Sequence, residues 1–136
     1  MKMEERSVTF NEPSDIKNAW IAALNSGKYT QTNGALRNSK GYCCLGVLCD
    51  VVAPSKWETS LPRAGPDGVS YRLDHFHHSL GRAGEIYPHL FDQKLQHALI
   101  EMNDGRKFPF GVIAKYIEKN IPAEEFKNLL DYSKNL

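Results

Sequence analysis

GYCCLGVLCD, residues 41–50, is the stretch that decides the fold, because it is apolar on almost every side. On a helix at about 100° per residue, its three cysteines spread around the axis instead of converging. A helix that is apolar nearly all round belongs in the middle of a domain. We therefore predict a buried central helix over residues 43–52. Its cysteines would act as small hydrophobes, and Gly46 would let a neighbouring backbone come close.

The cysteines also leave one chemical alternative open. Cys43 or Cys44 would lie at the N-terminus of this helix, where the helix dipole lowers a thiol pKa. One of the five histidines could then act as the base. The Cys-x-x-Cys spacing of zinc sites is absent. Packing is the favoured interpretation, and a nucleophilic thiol is the alternative.

Four further helices are predicted from apolar residues at helical spacing and from start and stop signals. Pro13 opens the first, and Asn25-Ser26-Gly27 ends it. The other three lie in the last third of the chain. One is capped by Asp92 and ended by residues 103–105, one spans Phe110 to Ile117, and one is opened by Pro122.

Two segments favour strands. Residues 29–32 and 35–38 flank Asn33-Gly34, a strong hairpin signal in which both turn residues take positive φ. Residues 39–41 would make a second turn, into the cysteine helix. Val69–Asp74 alternates between apolar and polar residues, as a strand does.

The remainder of residues 53–90 is rich in proline and glycine and reads as loops. We predict an α+β fold in which about five helices pack on a small, mostly antiparallel sheet. Residues 13–136 would form a single compact domain with a loop-rich insertion at 53–90. Residues 1–12 would form a flexible N-terminal arm.

The composition excludes several classes of protein. The chain has 136 residues and a formal net charge of +1, without the concentrated basic excess of a nucleic-acid duplex binder. No apolar run approaches the roughly 20 residues that span a bilayer, so we expect no membrane insertion. The N-terminus lacks the apolar stretch of a signal peptide, and three cysteines do not make a disulfide framework. A reducing cytoplasm fits best.

No glycine-rich phosphate loop is present, so a phosphate-bearing ligand would be held by arginine side chains. Aromatic side chains could stack on its bases. His75 and His77 would project to one side of an extended strand, as metal ligands can, but local hydrogen bonding is favoured and neither a metal nor a cofactor is predicted. Asn103 and Asp104 are typical of a helix cap and turn. Alternatively, they could contact a ligand at the helix end. The candidate ligand-binding residues are Arg37, Tyr42, Trp57, Arg63, Tyr71, Arg72, His75, His77, Asn103 and Asp104.

The motif W-x-x-A-L-x-S-G-x-Y-x-Q at residues 20–31, followed by GYCCLGVLCD, resembles a widespread group of small proteins of tailed phages. Met102-Asn103-Asp104 and the F-x-x-I-A-x-x-I-E pattern at residues 110–118 are similar to the C-terminal segment of the same group. The resemblance does not extend to residues 53–90. It implies a phage origin.

Small phage proteins of this kind often counter host defence, and the resemblance points to nucleotide sponges of the anti-CBASS or anti-Thoeris type. It implies a non-catalytic binder that sequesters a cyclic nucleotide or cyclic ADP-ribose messenger in the cytoplasm of the infected bacterial host. Such sponges are homo-oligomers, dimers or tetramers, with ligands at subunit interfaces. Two alternatives remain: a protein-binding inhibitor of a host enzyme, and a small hydrolase that uses Cys43 or Cys44 with a histidine.

Overall fold

The computed structural model describes residues 9–59, 70–73, 80–82 and 84–136, with the backbone alone described at residues 58–59, 70–73 and 81–82. This part of the chain has an α+β fold, as predicted. The α-helices are α1 (Pro13–Asn25), α2 (Cys44–Val52), α3 (Gln93–Ile100), α4 (Phe110–Asn120) and α5 (Lys127–Lys134). Two 3₁₀ turns, Pro54–Lys56 and Ala123–Phe126, and a π-helical turn, Glu101–Gly105, complete the helical elements.

Two small antiparallel sheets accompany the helices. The larger contains β1 (Arg37–Asn38), β2 (Gly41–Tyr42), β3 (Trp57–Thr59) and β4 (Ser70–Leu73), in the order β2-β1-β4-β3. The smaller pairs β5 (Gly81–Arg82) with β6 (Glu85–Ile86). The predicted strand at 69–74 is therefore confirmed as β4, four residues long. The strands β3, β5 and β6 correct the expectation that the rest of this region is loop.

Helix α2 is the central helix that the apolar stretch predicts. It packs against α1 and α3, and all three cysteines are buried. A Cβ at Gly46 would collide with the carbonyl oxygen of Leu36, so this glycine does allow the close approach of a neighbouring backbone. The Trp20 indole of α1 donates a 2.9 Å hydrogen bond to the Cys44 carbonyl and locks the two helices together.

The other helices lie where they were predicted, with two differences: α3 continues into the π-helical turn Glu101–Gly105, and the segment after Pro122 begins as the 3₁₀ turn Ala123–Phe126 before α5. Helix α1 begins at Pro13 and stops before Gly27, which has a φ of 78°. The Asp92 carboxylate caps α3 by accepting from the Leu95 amide. One buried position was not predicted: Gln96 of α3 is fully buried, and its side-chain amide hydrogen-bonds both the amide and the carbonyl of Ile86.

The predicted hairpin around Asn33-Gly34 is wrong. Residues 30–32 instead run parallel to β2, with hydrogen bonds of 2.8 Å from the Thr32 amide to the Tyr42 carbonyl and from the Tyr42 amide to the Thr30 carbonyl. Gly34 has a φ of 83°, but the φ of Asn33 is not positive, so the two residues do not form the turn that the hairpin requires. Strand β1 pairs with β2 through the turn at residues 39–40. Hydrogen bonds of Gln31, Thr32 and Gly34 with Asn103 and Asp104 replace the pairing that the turn signal favours.

Most of the predicted N-terminal arm, residues 1–8, lies outside the described residues. Of the remaining four, Phe10 belongs to the hydrophobic core. The boundaries predicted for the arm and for the domain stay predictions.

Candidate functional site

Three candidate residues from three different strands meet on one face of the larger sheet. Arg37 of β1 lies directly opposite Tyr42 of β2, and directly opposed residues share a face. The Arg37 guanidinium carbon lies 5.0 Å from the centroid of the Tyr42 ring and 5.3 Å from that of Trp57. Both distances are within the range of cation–π attraction.

Two further side chains contact this group: Asp50 of α2, and Tyr29 from the segment between α1 and β1. The Trp57 indole nitrogen donates a 2.9 Å hydrogen bond to Oδ1 of Asp50, and the Tyr29 hydroxyl donates a 2.6 Å bond to Oδ2. The Tyr29 ring packs edge-on against Tyr42, with centroids 4.9 Å apart. Arg37, Tyr42, Trp57, Tyr29 and Asp50 are together called the Arg37 cage. All five side chains are half-buried, so the group is accessible from solvent.

The electrostatics of the cage keep the Tyr29 hydroxyl protonated. Burial, then the hydrogen bond to Asp50 and the charge of that carboxylate, raise the pKa of Tyr29 far above its usual value. Tyr29 therefore acts as a permanent hydrogen-bond donor to Asp50. The polar atoms of Tyr29 and Trp57 are thereby engaged inside the protein, and the aromatic faces are what these two residues can offer a ligand.

A second polar centre lies around Asn103, in the π-helical turn after α3. Its side-chain oxygen accepts hydrogen bonds from the Gln31 amide group at 2.9 Å and from the Cys44 backbone amide at 3.2 Å. Its nitrogen donates to the Thr32 carbonyl and to Oδ1 of Asp104, both at 2.8 Å. Gln31, Thr32, Cys44, Asn103 and Asp104 are together called the Asn103 hub. Asn103 is 2% exposed and uses its full hydrogen-bonding capacity within the chain.

A cleft of about 170 Å³ lies beside the hub, at the N-terminus of α2. Its polar side chains are Asn103 and Asp104, and its walls include Cys43, Cys44 and Ile100. Asp104 is also engaged, because its Oδ2 accepts from the Gly34 amide at 3.1 Å. Because these polar groups are already paired, the cleft offers a ligand few hydrogen-bonding groups.

The thiols lack the properties of a nucleophile. Cys43 is the N-cap of α2, and its sulfur accepts from the Gly46 amide at 3.4 Å. Burial nevertheless raises the pKa of Cys43 to about 11 and raises those of Cys44 and Cys49 well above their usual value. Loss of solvation therefore outweighs the hydrogen bonds from backbone amides that lower these pKa values, and the thiolate that a reaction would need is disfavoured. The packing interpretation of the cysteines is confirmed.

The structure thus distributes the ten candidate residues unevenly. It brings Arg37, Tyr42 and Trp57 together in the cage, and it places Asn103 and Asp104 in the hub. The backbone of Tyr71 lies opposite Arg37 in β4, with Arg72 next to it and opposite Glu58. The predicted contributions of Arg63, His75 and His77 lie outside the described residues.

Sequence reasoning missed Asp50 as a functional candidate. It counted Tyr29 among the aromatic side chains that could stack on a base, but left it out of the ten candidate residues. Asp50 carried a usable signal, since it is the single charged residue in an otherwise apolar helix, and such a residue needs partners when it is partly buried. The sequence carried no signal that would have linked Tyr29 to Asp50, 21 residues away.

No group of three or more His, Cys, Asp or Glu side chains in the described part of the chain is arranged to hold a metal ion. Within the same residues, no helix has the length and apolar character needed to cross a membrane.

Residues 13–80 match the family described as "Domain of unknown function (DUF8296)". The chain belongs to this family. No curated protein and no solved structure matches the chain. The DUF8296 match includes all five residues of the Arg37 cage and ends before Asn103. The cage is therefore contained within the family's own segment, whereas the hub joins that segment to the C-terminal third.

Proposed function

We propose that this DUF8296 protein is a phage-encoded, non-catalytic binder that sequesters a cyclic nucleotide or another nucleotide-derived messenger of host defence. The observation that carries the proposal is the position of the Arg37 guanidinium over the rings of Tyr42 and Trp57 on an accessible face of the sheet. The proposal also draws on the resemblance to small phage proteins.

The chemistry of these side chains matches the two halves of a nucleotide. A guanidinium forms short, charge-assisted hydrogen bonds with phosphate oxygens. Aromatic faces stack on nucleobases, at about 1–3 kcal/mol per base. Tyr42 and Trp57 meet edge to face, with centroids 6.0 Å apart and planes at 77°, so they form two differently oriented walls beside one cation.

The properties of the cysteines favour sequestration over turnover. Capture needs no nucleophile, base or metal, whereas a cysteine hydrolase needs an accessible thiolate. Cys43, one of the two cysteines that line the cleft, is 5% exposed, and its pKa is raised to about 11. A ligand bound at the cage would accordingly be released unchanged.

The ligand is proposed to lie between copies of the chain. A cyclic dinucleotide carries two bases and two phosphates, more than one arginine and two rings can cover. A second copy would bring a second cage to the same ligand, as in symmetric assemblies whose sites lie at subunit interfaces. The proposed assembly is a homodimer or homotetramer in the host cytoplasm.

The test is a thermal-shift screen against cyclic dinucleotides, cyclic trinucleotides and cyclic ADP-ribose isomers, followed by chromatography of the ligand released on denaturation. We expect a large shift for at least one compound, its recovery intact, and a ligand-bound oligomer by native mass spectrometry. Recovery of a cleaved ligand would replace the proposal with the hydrolase alternative. No shift with any compound would overturn it and direct the search, by pull-down from host lysate, to a protein partner.

A further inference from the structure

Asp50 links two aromatic residues that are distant in sequence. Its carboxylate accepts from the Trp57 indole at 2.9 Å through Oδ1 and from the Tyr29 hydroxyl at 2.6 Å through Oδ2. Both distances are typical of charge-assisted hydrogen bonds, which are stronger than those between neutral groups. Because α2 packs in the core, the carboxylate is anchored on a rigid element.

Tyr42 contacts both Tyr29 and Trp57, so that these three residues and Asp50 form a closed cycle of contacts. Tyr29 packs edge-on against Tyr42 at 4.9 Å, and Tyr42 packs edge-on against Trp57 at 6.0 Å. Arg37 stacks on the last two rings. The orientation of both cage walls therefore depends, through two short hydrogen bonds, on one carboxylate.

We propose that Asp50 is the positioning residue of the Arg37 cage, fixing the planes of Trp57 and Tyr42 before a ligand arrives. This inference rests on the proposed function. Side chains that are already ordered lose less conformational freedom on binding, so a preset cage binds more tightly than a loose one. Asp50 itself need not touch the ligand.

The test compares Asp50→Ala, Asp50→Asn and Tyr29→Phe with the wild-type protein. Asp50→Asn keeps the carbonyl that can accept from Trp57, and Tyr29→Phe removes one of the two bonds while keeping the ring, so each remains informative if Asp50→Ala fails to fold. Asp92→Ala is the matched control, since it removes a helix-capping carboxylate outside the cage. The first readout, without ligand, is the indole resonance of Trp57 in ¹H–¹⁵N spectra and the quenching of its fluorescence by acrylamide.

The second readout is affinity for each compound of the nucleotide panel. We expect Asp50→Ala to shift the Trp57 resonance, increase its quenching and weaken binding roughly tenfold, the cost of ordering two released rings. Asp50→Asn should restore part of both signals, Tyr29→Phe should weaken binding by a few-fold, and Asp92→Ala should change neither.

The outcomes separate this inference from the proposed function. An unchanged Trp57 signal in Asp50→Ala, or wild-type affinity despite a changed signal, would overturn the positioning role while leaving the binding function standing. If the wild-type protein binds no compound of the panel, the proposed function is overturned, and the positioning role with it.

Discussion

The Arg37 cage and the Asn103 hub are both assembled from residues far apart in sequence, and each includes one residue of α2. They differ in burial and in how many of their polar groups are hydrogen-bonded within the chain. Asn103 is 2% exposed, and its four hydrogen bonds all end within the chain. The cage is half-buried: Tyr29 and Trp57 each donate a hydrogen bond to Asp50, and the Arg37 guanidinium lies over the rings of Tyr42 and Trp57.

This difference separates a group that builds the fold from one suited to a ligand. A buried polar group must be fully paired, because an unpaired one costs about 1–3 kcal/mol. The hub meets that requirement by holding residues 31–32 and the start of α2 together. The constraint is weaker for the cage, because its side chains are only half-buried and solvent reaches them. Asn103 and Asp104 thus have a structural role, and their direct contact with a ligand stays a prediction.

The largest effect is expected when the hub is broken. Asn103→Ala removes the partners of the buried Cys44 amide, the Thr32 carbonyl and the Gln31 side chain, so we expect the free energy of unfolding to fall by roughly 3–5 kcal/mol. Urea denaturation measures it. Asn120→Ala, which loses one exposed hydrogen bond at the end of α4, is the control and should change stability by less than about 0.5 kcal/mol. Similar losses in the two variants would contradict the structural role of the hub.

The second prediction concerns the cage. Arg37→Ala should weaken binding of the messenger by about 1.5–3 kcal/mol, the value of a hydrogen bond to a charged group. Isothermal titration with the compound that gives the largest thermal shift measures it. Arg106→Ala is a close control, because Arg106 also stacks on an aromatic ring, Phe108 at 5.8 Å, but outside the cage. Equal losses for both arginines would mean that the ligand is attracted by charge and not held at the cage.

The third prediction separates stability from binding. Cys49→Ala removes a fully buried sulfur from α2 and should lower the free energy of unfolding by about 1–2 kcal/mol, while affinity stays at the wild-type value. Thermal denaturation and titration of the same sample measure the two quantities. A loss of affinity at unchanged stability would return the cysteines to the functional site.

The smallest effect is a pH dependence. The pKa of Cys43 rises from 9.0 to about 11 on burial, so the folded state holds this proton more tightly than the unfolded chain. This proton's contribution to the free energy of unfolding is fully present below pH 9 and is lost as the pH rises toward the folded-state pKa. Between pH 8 and pH 10, unfolding free energy should therefore fall by about 1 kcal/mol more in wild type than in Cys43→Ala. An equal fall in the two proteins would contradict the raised pKa.

Helices were predictable because their signals are local. The buried side of α4 comprises Phe110, Ile113, Ala114 and Ile117, the positions that its period of 3.6 residues indicates. The hairpin at Asn33-Gly34 failed for the opposite reason. The hydrogen bond that holds Thr32 comes from Asn103, 71 residues away, and no local pattern encodes it.

The cage was predictable only in part. The types of residue that grip a nucleotide could be named from the sequence, and Arg37, Tyr42 and Trp57 were among them. The sequence could not show that these three side chains meet, because their meeting depends on β4 pairing with both β1 and β3, which are distant from it in sequence. Conversely, a motif that reads as one continuous family signature divides in the structure, with Gln31 serving the hub and Tyr29 the cage.

The central claim is that the messenger binds at the Arg37 cage, and the two tryptophans allow it to be tested directly. In ¹H–¹⁵N spectra, the indole of Trp20 is buried and bonded to the Cys44 carbonyl, whereas that of Trp57 lies in the cage. Titration with the panel compound that gives the largest thermal shift should move the Trp57 resonance saturably and leave that of Trp20 in place. Saturable binding with the Trp57 resonance unmoved would contradict the claim.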